Sequence, residues 1–268
     1  MIKLIASDMD GTLLNDRKEL PGDFFEVFDE LERRGIKFTV ASGRSFDAVA
    51  HLFPEEYRTR LDFICDNGAN VIHEGKQVSV TPLDRPTFEQ LIRACEDIGG
   101  LRILVCAGRG TYHLTADAEF SAEIAKYYKN HIPCDNLLSI DDVIYKLAVC
   151  DMKGTQQHAK PAIDAIFGDR LNVQVSGPIW MDVMGAGVSK GSALRALGKH
   201  LGISAEDTMA FGDFYNDADM LKYAGWSFAM ENGNPDIKRM TRFLARSNNE
   251  NGVLRAIRQY ALQEDSIK

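Results

Sequence analysis

Long apolar runs are missing from this chain. No stretch of about 18 apolar residues is present to span a bilayer, and the amino-terminal apolar segment stops at Ala6, too early for a secretory leader. Cysteine is sparse and odd in number: Cys65, Cys95, Cys106, Cys134 and Cys150, with no C-x-x-C pair. A disulfide framework or a cysteine zinc site is therefore not expected, whereas buried free thiols are. The six histidines show no H-E-x-x-H spacing, which argues against zinc hydrolysis of that type. Positive charge is also in deficit, with 31 Lys and Arg against 39 Asp and Glu, a formal net charge of -8 and no basic stripe. Nucleic acid is not an expected partner. An anionic substrate would need a local source of positive charge, such as a metal ion. These absences describe a cytoplasmic protein without membrane or nucleic-acid partners, and nothing in the sequence specifies an oligomeric state.

What is present suits a large globular core: 268 residues, 45% hydrophobic and 26% charged. Residues 3–7 form a short apolar strand pattern. Phe24, Val27, Phe28 and Leu31 recur at helical spacing before Gly35. IKFTVAS (36–42) reads as a second strand, followed by a helix from Ser45 through Phe53 to Pro54, and FICDNG (63–68) as a third strand. Strand–helix–strand alternation predicts a parallel sheet. From about residue 83 to 185 the strand patterns crowd together at 102–106, 112–115, 146–151, 171–175 and 179–184, with helical patterns at 87–98, 119–129 and 157–167. This reads as a separate α+β domain. After 185 the first style returns: a helix from Ser189 to Gly202, strand 208–213, a short helix over 215–225 and strand 226–230. The expectation is an α/β, Rossmann-like core made of 1–82 and 186–268, with 83–185 inserted as an α+β domain.

Ligands of open parallel sheets bind at the carboxyl ends of strands. The first expected strand ends in Asp8-Met9-Asp10, the second in Ser42-Gly43-Arg44, the third in Asp66-Asn67-Gly68, and a later one in Gly212-Asp213, with Asn216 and Asp217 beyond. Lys190 stands at a loop-to-helix junction. Each has an ordinary reading alone: Asp10-Gly11 and Ser42-Gly43 as turns, Lys190 as a solvated lysine, Asp213 and Asp217 as turn or cap residues. Jointly, a surplus of acids at one edge suggests a bound cation, and oxygen donors favour magnesium over zinc. An ionised aspartate can attack phosphorus, and a second carboxyl can protonate the leaving oxygen and then activate water. Asp8 is the proposed nucleophile and Asp10 the acid and base. Lys190, the Ser42 hydroxyl, backbone N–H groups near Asp10, Gly11 and Gly43, and magnesium would stabilise charge.

These residues resemble a known family. SDMDGTLLN resembles the DxDGTLL motif of the haloacid dehalogenase superfamily of phosphohydrolases, ASGRS its second motif, GVSKGSAL its third and GDFYNDADM its fourth. DNGA (66–69) and SNNENGV (247–253) look like its Cof-type branch, in which an α/β cap (subclass IIB, C2 type) is inserted between the second and third motifs. The resemblance implies Asp8 as nucleophile and magnesium ligand, Asp10 as acid/base giving its backbone carbonyl to the metal, and Asp213 as the third ligand. It also implies that Asp217 supports the metal or Lys190, that Ser42, Gly43 and Lys190 hold phosphate, and that Asn216 lies near it. The substrate implied is a small phosphorylated metabolite, a sugar phosphate or phosphorylated cofactor. Glu231 departs from the pattern, since relatives often carry glycine there. Tyr112, His113, Trp180 and Asp182 of the inserted domain are candidates for selecting the leaving group, with packing the commoner role for such residues.

Two other classes remain open at this point. Gly185-Ala186-Gly187 and Gly191 form GxGxxxG after a strand-like run, a loose relative of the nicotinamide-dinucleotide fingerprint. A non-catalytic phospho-receiver also uses an acidic cluster with a lysine. A P-loop is excluded, because GVSKGS reverses the required Gly-Lys-Ser order.

Overall fold

The computed structural model describes residues 1–115, 120, 124 and 130–263. It divides into two units, one of Met1–Gly43, Leu52–Ser79 and Ser189–Lys268, the other of Arg44–His51 and Val80–Val188. In chain order the strands begin with β1 (Leu4–Asp8), β2 (Lys37–Ala41), β3 (Asp62–Cys65), β4 (Asn70–His73) and β5 (Lys76–Val80). Then come β6 (Leu101–Ala107), β7 (Gly110–Leu114), β8 (His131–Cys134), β9 (Ile144–Asp151), β10 (Leu171–Val175) and β11 (Trp180–Gly185). The series closes with β12 (Thr208–Gly212), β13 (Trp226–Met230) and β14 (Phe243–Ala245).

In the first unit one sheet runs β14-β13-β12-β1-β2-β3-β4-β5. The pairings from β14 to β3 are all parallel. β1 is central because both its faces are apolar and covered, and all five of its residues are buried. On one face Leu4, Ala6, Ala41, Ile64 and Ala210 pack against Ala193, Leu194 and Leu197 of the helix Lys190–Leu201 and against Met220 and Leu221 of the helix Ala218–Tyr223. The other side is aromatic: Phe24 of the helix Phe24–Arg33 lies 5.4 Å from Phe38 and 5.7 Å from Phe53, edge-on or tilted. Parallel pairing in register (Asp8 beside Ala41, Ser7 beside Phe211) brings the carboxyl ends of β1, β2, β3 and β12 to one edge.

The sheet is not wholly parallel, because β4 runs antiparallel to β3. Between β4 and β5, Glu74 (φ 50) and Gly75 (φ 72) both take positive φ, as a tight type I′ hairpin turn requires. A glutamate is an uncommon resident of such a turn, which hides the hairpin in the sequence. The helix expected to include Phe53 stops at Ala50, since a residue before proline is driven out of the α region; Pro54 instead precedes a four-residue helix, Glu55–Arg58. Strand β14, the helix Pro235–Met240 and the helical end beyond Gly252 add to the expected elements.

The second unit carries a sheet in the order β10-β11-β9-β6-β7-β8, antiparallel except for β7 with β8. Helices Arg85–Ile98 and Ala159–Phe167 cover one face, where Phe88, Leu91, Ile92, Ile163 and Phe167 cluster with Val105, Leu147, Val149, Met181 and Val183. The first of these helices starts two residues before the expected 87, because Asp84 caps it by accepting from Thr87 N at 3.0 Å. The helical pattern at 119–129 lies outside the described residues apart from Phe120 and Ile124. Both of these pack with Leu104, Cys106, Ala148 and Cys150 on the other face. The five cysteines are free, four buried and Cys134 half-buried, and burial pushes the Cys95 thiol up to about 12. Among the described residues no helix is long and apolar enough to cross a membrane.

Helix Lys190–Leu201 starts from a reciprocal cap: Ser192 N donates to Ser189 Oγ and Ser189 N to Ser192 Oγ, each at 3.0 Å. Its first turn lies so close to the backbone of Asp219 that a Cβ on Gly191 would overlap it. Gly191→Ala is expected to lower stability by about 1–3 kcal/mol, the usual cost of overpacking against an unyielding neighbour. Urea unfolding checks this, and an unchanged midpoint would contradict the close packing.

Candidate active site

Four of the residues singled out in the sequence converge at the carboxyl edge of the parallel strands. Lys190 Nζ, fully buried at the start of its helix, donates to Asp8 Oδ1 at 2.5 Å and to Asp217 Oδ1 at 2.7 Å. Asp217 Oδ2 accepts from the backbone N–H of Asp213 at 3.0 Å and of Phe214 at 3.2 Å, so both its oxygens are engaged. Asp213 receives the Thr12 hydroxyl at 3.4 Å. Carboxylate oxygens of Asp8, Asp213 and Asp217 all lie within 4.8 Å of one another.

The turn after β1 allows this approach. Leu13 N donates to Asp8 O at 3.2 Å and Leu14 N to Met9 O at 2.8 Å, curling the chain back over the strand end. Gly11 takes φ 83, and a Cβ there would meet Asp213 Oδ2 at 2.5 Å, so glycine is required both by conformation and by the carboxylate beside it. Asn232 donates to Gly11 O at 2.7 Å and ties the same turn to the loop after β13. Glu231, the departure from the family pattern, needs no left-handed backbone; its N–H donates to Ala245 O at 2.9 Å.

Three carboxylates surround one ammonium here, and their electrostatics follow. Burial drives the Asp8 carboxyl well above its ordinary range; Lys190 pulls it down, while Asp217 and Asp213 push it further up. Burial, aided by Asp217, pushes Asp213 up to about 6. Burial disfavours the charge on Lys190, but Asp217 and Asp8 outweigh it and hold the ammonium above its ordinary value.

The expected phosphate-side groups sit beside this cluster. Ser42 is buried at the end of β2, donating its N–H to Ile64 O at 2.8 Å and accepting from Asn67 N at 3.1 Å. The Asn67 side chain joins two of the others. Its Oδ1 accepts from Asn216 Nδ2 at 3.4 Å and would lie 3.0 Å from a Cβ on Gly43. Asn67 holds a left-handed conformation (φ 54), which asparagine tolerates. Asp10 is the exception to the clustering: its half-buried side chain accepts from Lys18 Nζ at 2.8 Å, at the rim. It still adds an upward push to Asp213, so the two carboxylates feel each other. The linking roles of Asn67, Thr12, Asn232 and Lys18 had no sequence signal beyond Asn67's place at a strand end.

The four candidates in the second unit are engaged within it. Tyr112 donates to Asp142 at 3.0 Å, the His113 and His131 rings meet at 3.2 Å, Trp180 stacks on Phe120 at 5.9 Å, and Asp182 pairs with Lys146 at 2.8 Å. The GxGxxxG run begins at the end of β11, which is antiparallel to both β9 and β10. It is thus not part of the parallel strand–helix–strand unit that a dinucleotide fingerprint requires.

Comparison with known proteins agrees with this architecture. A family model described as haloacid dehalogenase-like hydrolase matches residues 5–257. The chain is 31% identical to the 5-amino-6-(5-phospho-D-ribitylamino)uracil phosphatase YbjI of Escherichia coli (strain K12), over 96% of this chain and 95% of that protein. It is 28% identical to an HMP-PP phosphatase of Klebsiella pneumoniae (strain 342), over 89% and 87% respectively. Among solved structures, SMU.1108c from Streptococcus mutans UA159 superposes with a TM-score of 0.89 at 27% identity, covering 98% of this chain and all of that one.

Removing the ammonium would strand Asp8 and Asp217 together without water. Lys190→Met is expected to cost about 3–5 kcal/mol at pH 7, as for other buried pairs that lose one partner. The loss shrinks at pH 5, where the raised acids take up protons. Urea unfolding at the two pH values measures both, and equal losses would contradict the charge argument.

Proposed function

Since the chain belongs to the haloacid dehalogenase-like hydrolases and is a phosphatase among them, we propose that it hydrolyses small phosphorylated metabolites with magnesium, through an aspartyl-phosphate on Asp8. The observation that carries this reading is the buried group of Asp8, Asp213 and Asp217 around Lys190 at one sheet edge. Relatives named for a phosphoribitylaminouracil and for HMP-PP support a sugar phosphate or phosphorylated cofactor as the substrate class. A cytoplasmic setting suits five thiols left unpaired.

The residues fit a cation. Three carboxylates against one ammonium leave surplus negative charge in a buried place, and an all-oxygen donor set matches magnesium. Asp8, Asp213 and the backbone carbonyl of Asp10 are assigned to hold it, while Asp217, with both oxygens engaged, braces Lys190 and the Asp213 backbone. When bound, the ion offsets the negative charge of the phosphoryl oxygens.

The protein's own groups then act as follows. Lys190 orients the Asp8 carboxylate and offers positive charge to phosphate, with Ser42 and the N–H of Gly43 as further donors. An Asp8 oxygen bonds to phosphorus as the bond to the leaving oxygen breaks, and Asp10 gives its proton to that oxygen. Asp10 next takes a proton from water, whose oxygen bonds to phosphorus as the Asp8–phosphorus bond breaks, releasing inorganic phosphate. The acid–base help amounts to roughly 10²–10⁴-fold, and charge stabilisation supplies most of the remainder.

Hydrolysis of an aryl phosphate, with magnesium and with chelator, tests this reading. Wild type is expected to release phosphate only with the metal. Asp8→Asn keeps its fold and loses turnover; Asp10→Asn loses roughly 10²–10⁴-fold. Normal turnover by either variant would remove the assigned role.

The metal assignment also has a pH signature. In the metal-free protein the Asp213 carboxyl is raised from 3.8 to about 6. The stability this group contributes is therefore full below pH ~4 and lost as pH rises through about 6. Magnesium competes with that proton, so the Tm gain on adding it is expected to grow from pH 5 to pH 7 and then level off. A gain independent of pH would count against Asp213 as a ligand.

A further inference from the structure

The first unit also holds an open cleft of about 310 Å³ between the end of the sheet and the carboxyl-terminal helix, at the small end of the sizes that accept ligands. Phe228, Leu244 and Tyr260 form its apolar wall, and Arg246, Arg255 and Gln259 its polar wall. Glu231 also lines it, 3.9 Å from Arg246 Nη1, and Glu250 outside the lining feels both Arg246 and Arg255, so two guanidinium groups are set against two carboxylates, one of them in the lining. The aromatic wall is deep: Tyr260 lies 5.2 Å from Phe228 and 5.5 Å from Phe243, and Phe243 stacks on Trp226 at 5.6 Å.

Irregular, hydrogen-bonded backbone flanks this space on both sides. After the helix Gly252–Ala256 the chain widens into a π turn over Ile257–Ala261, with Leu262 N donating to Ile257 O at 3.0 Å. Such turns are rare and recur at functional sites; this one carries Gln259 and Tyr260, both on the cavity wall. Opposite, Asn248 donates its N–H to Asn232 Oδ1 and its amide to Leu14 O, each at 3.0 Å, which pins the segment just after Arg246.

We propose that this cavity is a second ligand site, binding a small organic anion with a flat ring. The anionic head would meet Arg246 and Arg255, whose planar forks match a carboxylate or phosphate. The ring would lie against Tyr260 and Leu244, with Phe228 buried behind them. A bare inorganic anion would leave the apolar wall uncovered, and an uncharged ring would leave the guanidinium groups unused. The chain's net charge of -8 repels anions at long range, so attraction must come from these local arginines.

The test titrates 2-naphthoate into the full chain by calorimetry, using wild type, Asp8→Asn, Arg255→Gln and Leu244→Glu. Arg255 and Leu244 are exposed, so neither change threatens the fold. Saturable binding is expected to wild type and equally to Asp8→Asn. Arg255→Gln weakens it about tenfold or more, the size of one charge-assisted hydrogen bond, and Leu244→Glu does so by repulsion. Both surface variants keep wild-type hydrolysis of an aryl phosphate. Four results would each overturn the site: no saturation at millimolar probe, binding lost in Asp8→Asn, binding indifferent to Arg255→Gln, or equal binding of the neutral 2-naphthalenemethanol.

Discussion

A single buried ammonium holds this molecule's chemistry together. Lys190 is fully buried, and it donates to carboxylates far apart in the sequence, Asp8 at 2.5 Å from the end of β1 and Asp217 at 2.7 Å from the segment after β12. Desolvating any of these groups alone would be prohibitive. Together they are tolerable only while the helix start, the end of β1 and the loop after β12 stay in register. Packing must therefore serve the charges, and it does so through missing side chains. Gly191 lets the helix approach Asp219, Gly212 lets Asp217 lie over the strand end, and Gly11 leaves room for Asp213.

Charge remains incompletely balanced even so. Burial and mutual repulsion raise both Asp8 and Asp213. Clustered acids perturbed in this way are common at functional sites and support the proposed one. Asp217 differs from them because its second oxygen is taken by two backbone N–H groups. One cluster thus contains carboxylates of two kinds, those left with unsatisfied charge and one consumed in bracing the others.

Much of this was legible in the sequence, for identifiable reasons. Asp8, Asp213 and Ser42 each end an apolar run, and parallel strands bring such ends to one edge. Lys190 follows a serine that caps its helix by a short-range pattern. Local rules reach no further than that. Asn67 and Asn216 meet across 149 positions, and Asp10 turns to Lys18 because of a side-chain conformation that no periodicity encodes. The β4–β5 hairpin carries no sequence signal, because Glu74 occupies a backbone state where asparagine or glycine is the usual mark. The last aromatic wall was equally hidden, since Trp226, Phe228, Phe243 and Tyr260 come from three separate elements.

The centre of the sheet also sets a timetable for synthesis. β1 pairs with β12, and Asp8 meets a lysine 182 residues later. At roughly 5–20 residues per second, the ribosome needs about 10–40 s between making the two. During that interval one edge of the future central strand has no partner from β12, and the Asp8 carboxylate stays hydrated and ordinary. The second unit, by contrast, draws most of its residues from one continuous stretch with a hydrophobic cluster of its own. The nascent chain thus completes its buried acid cluster last, when the carboxyl-terminal third meets a strand made at the start.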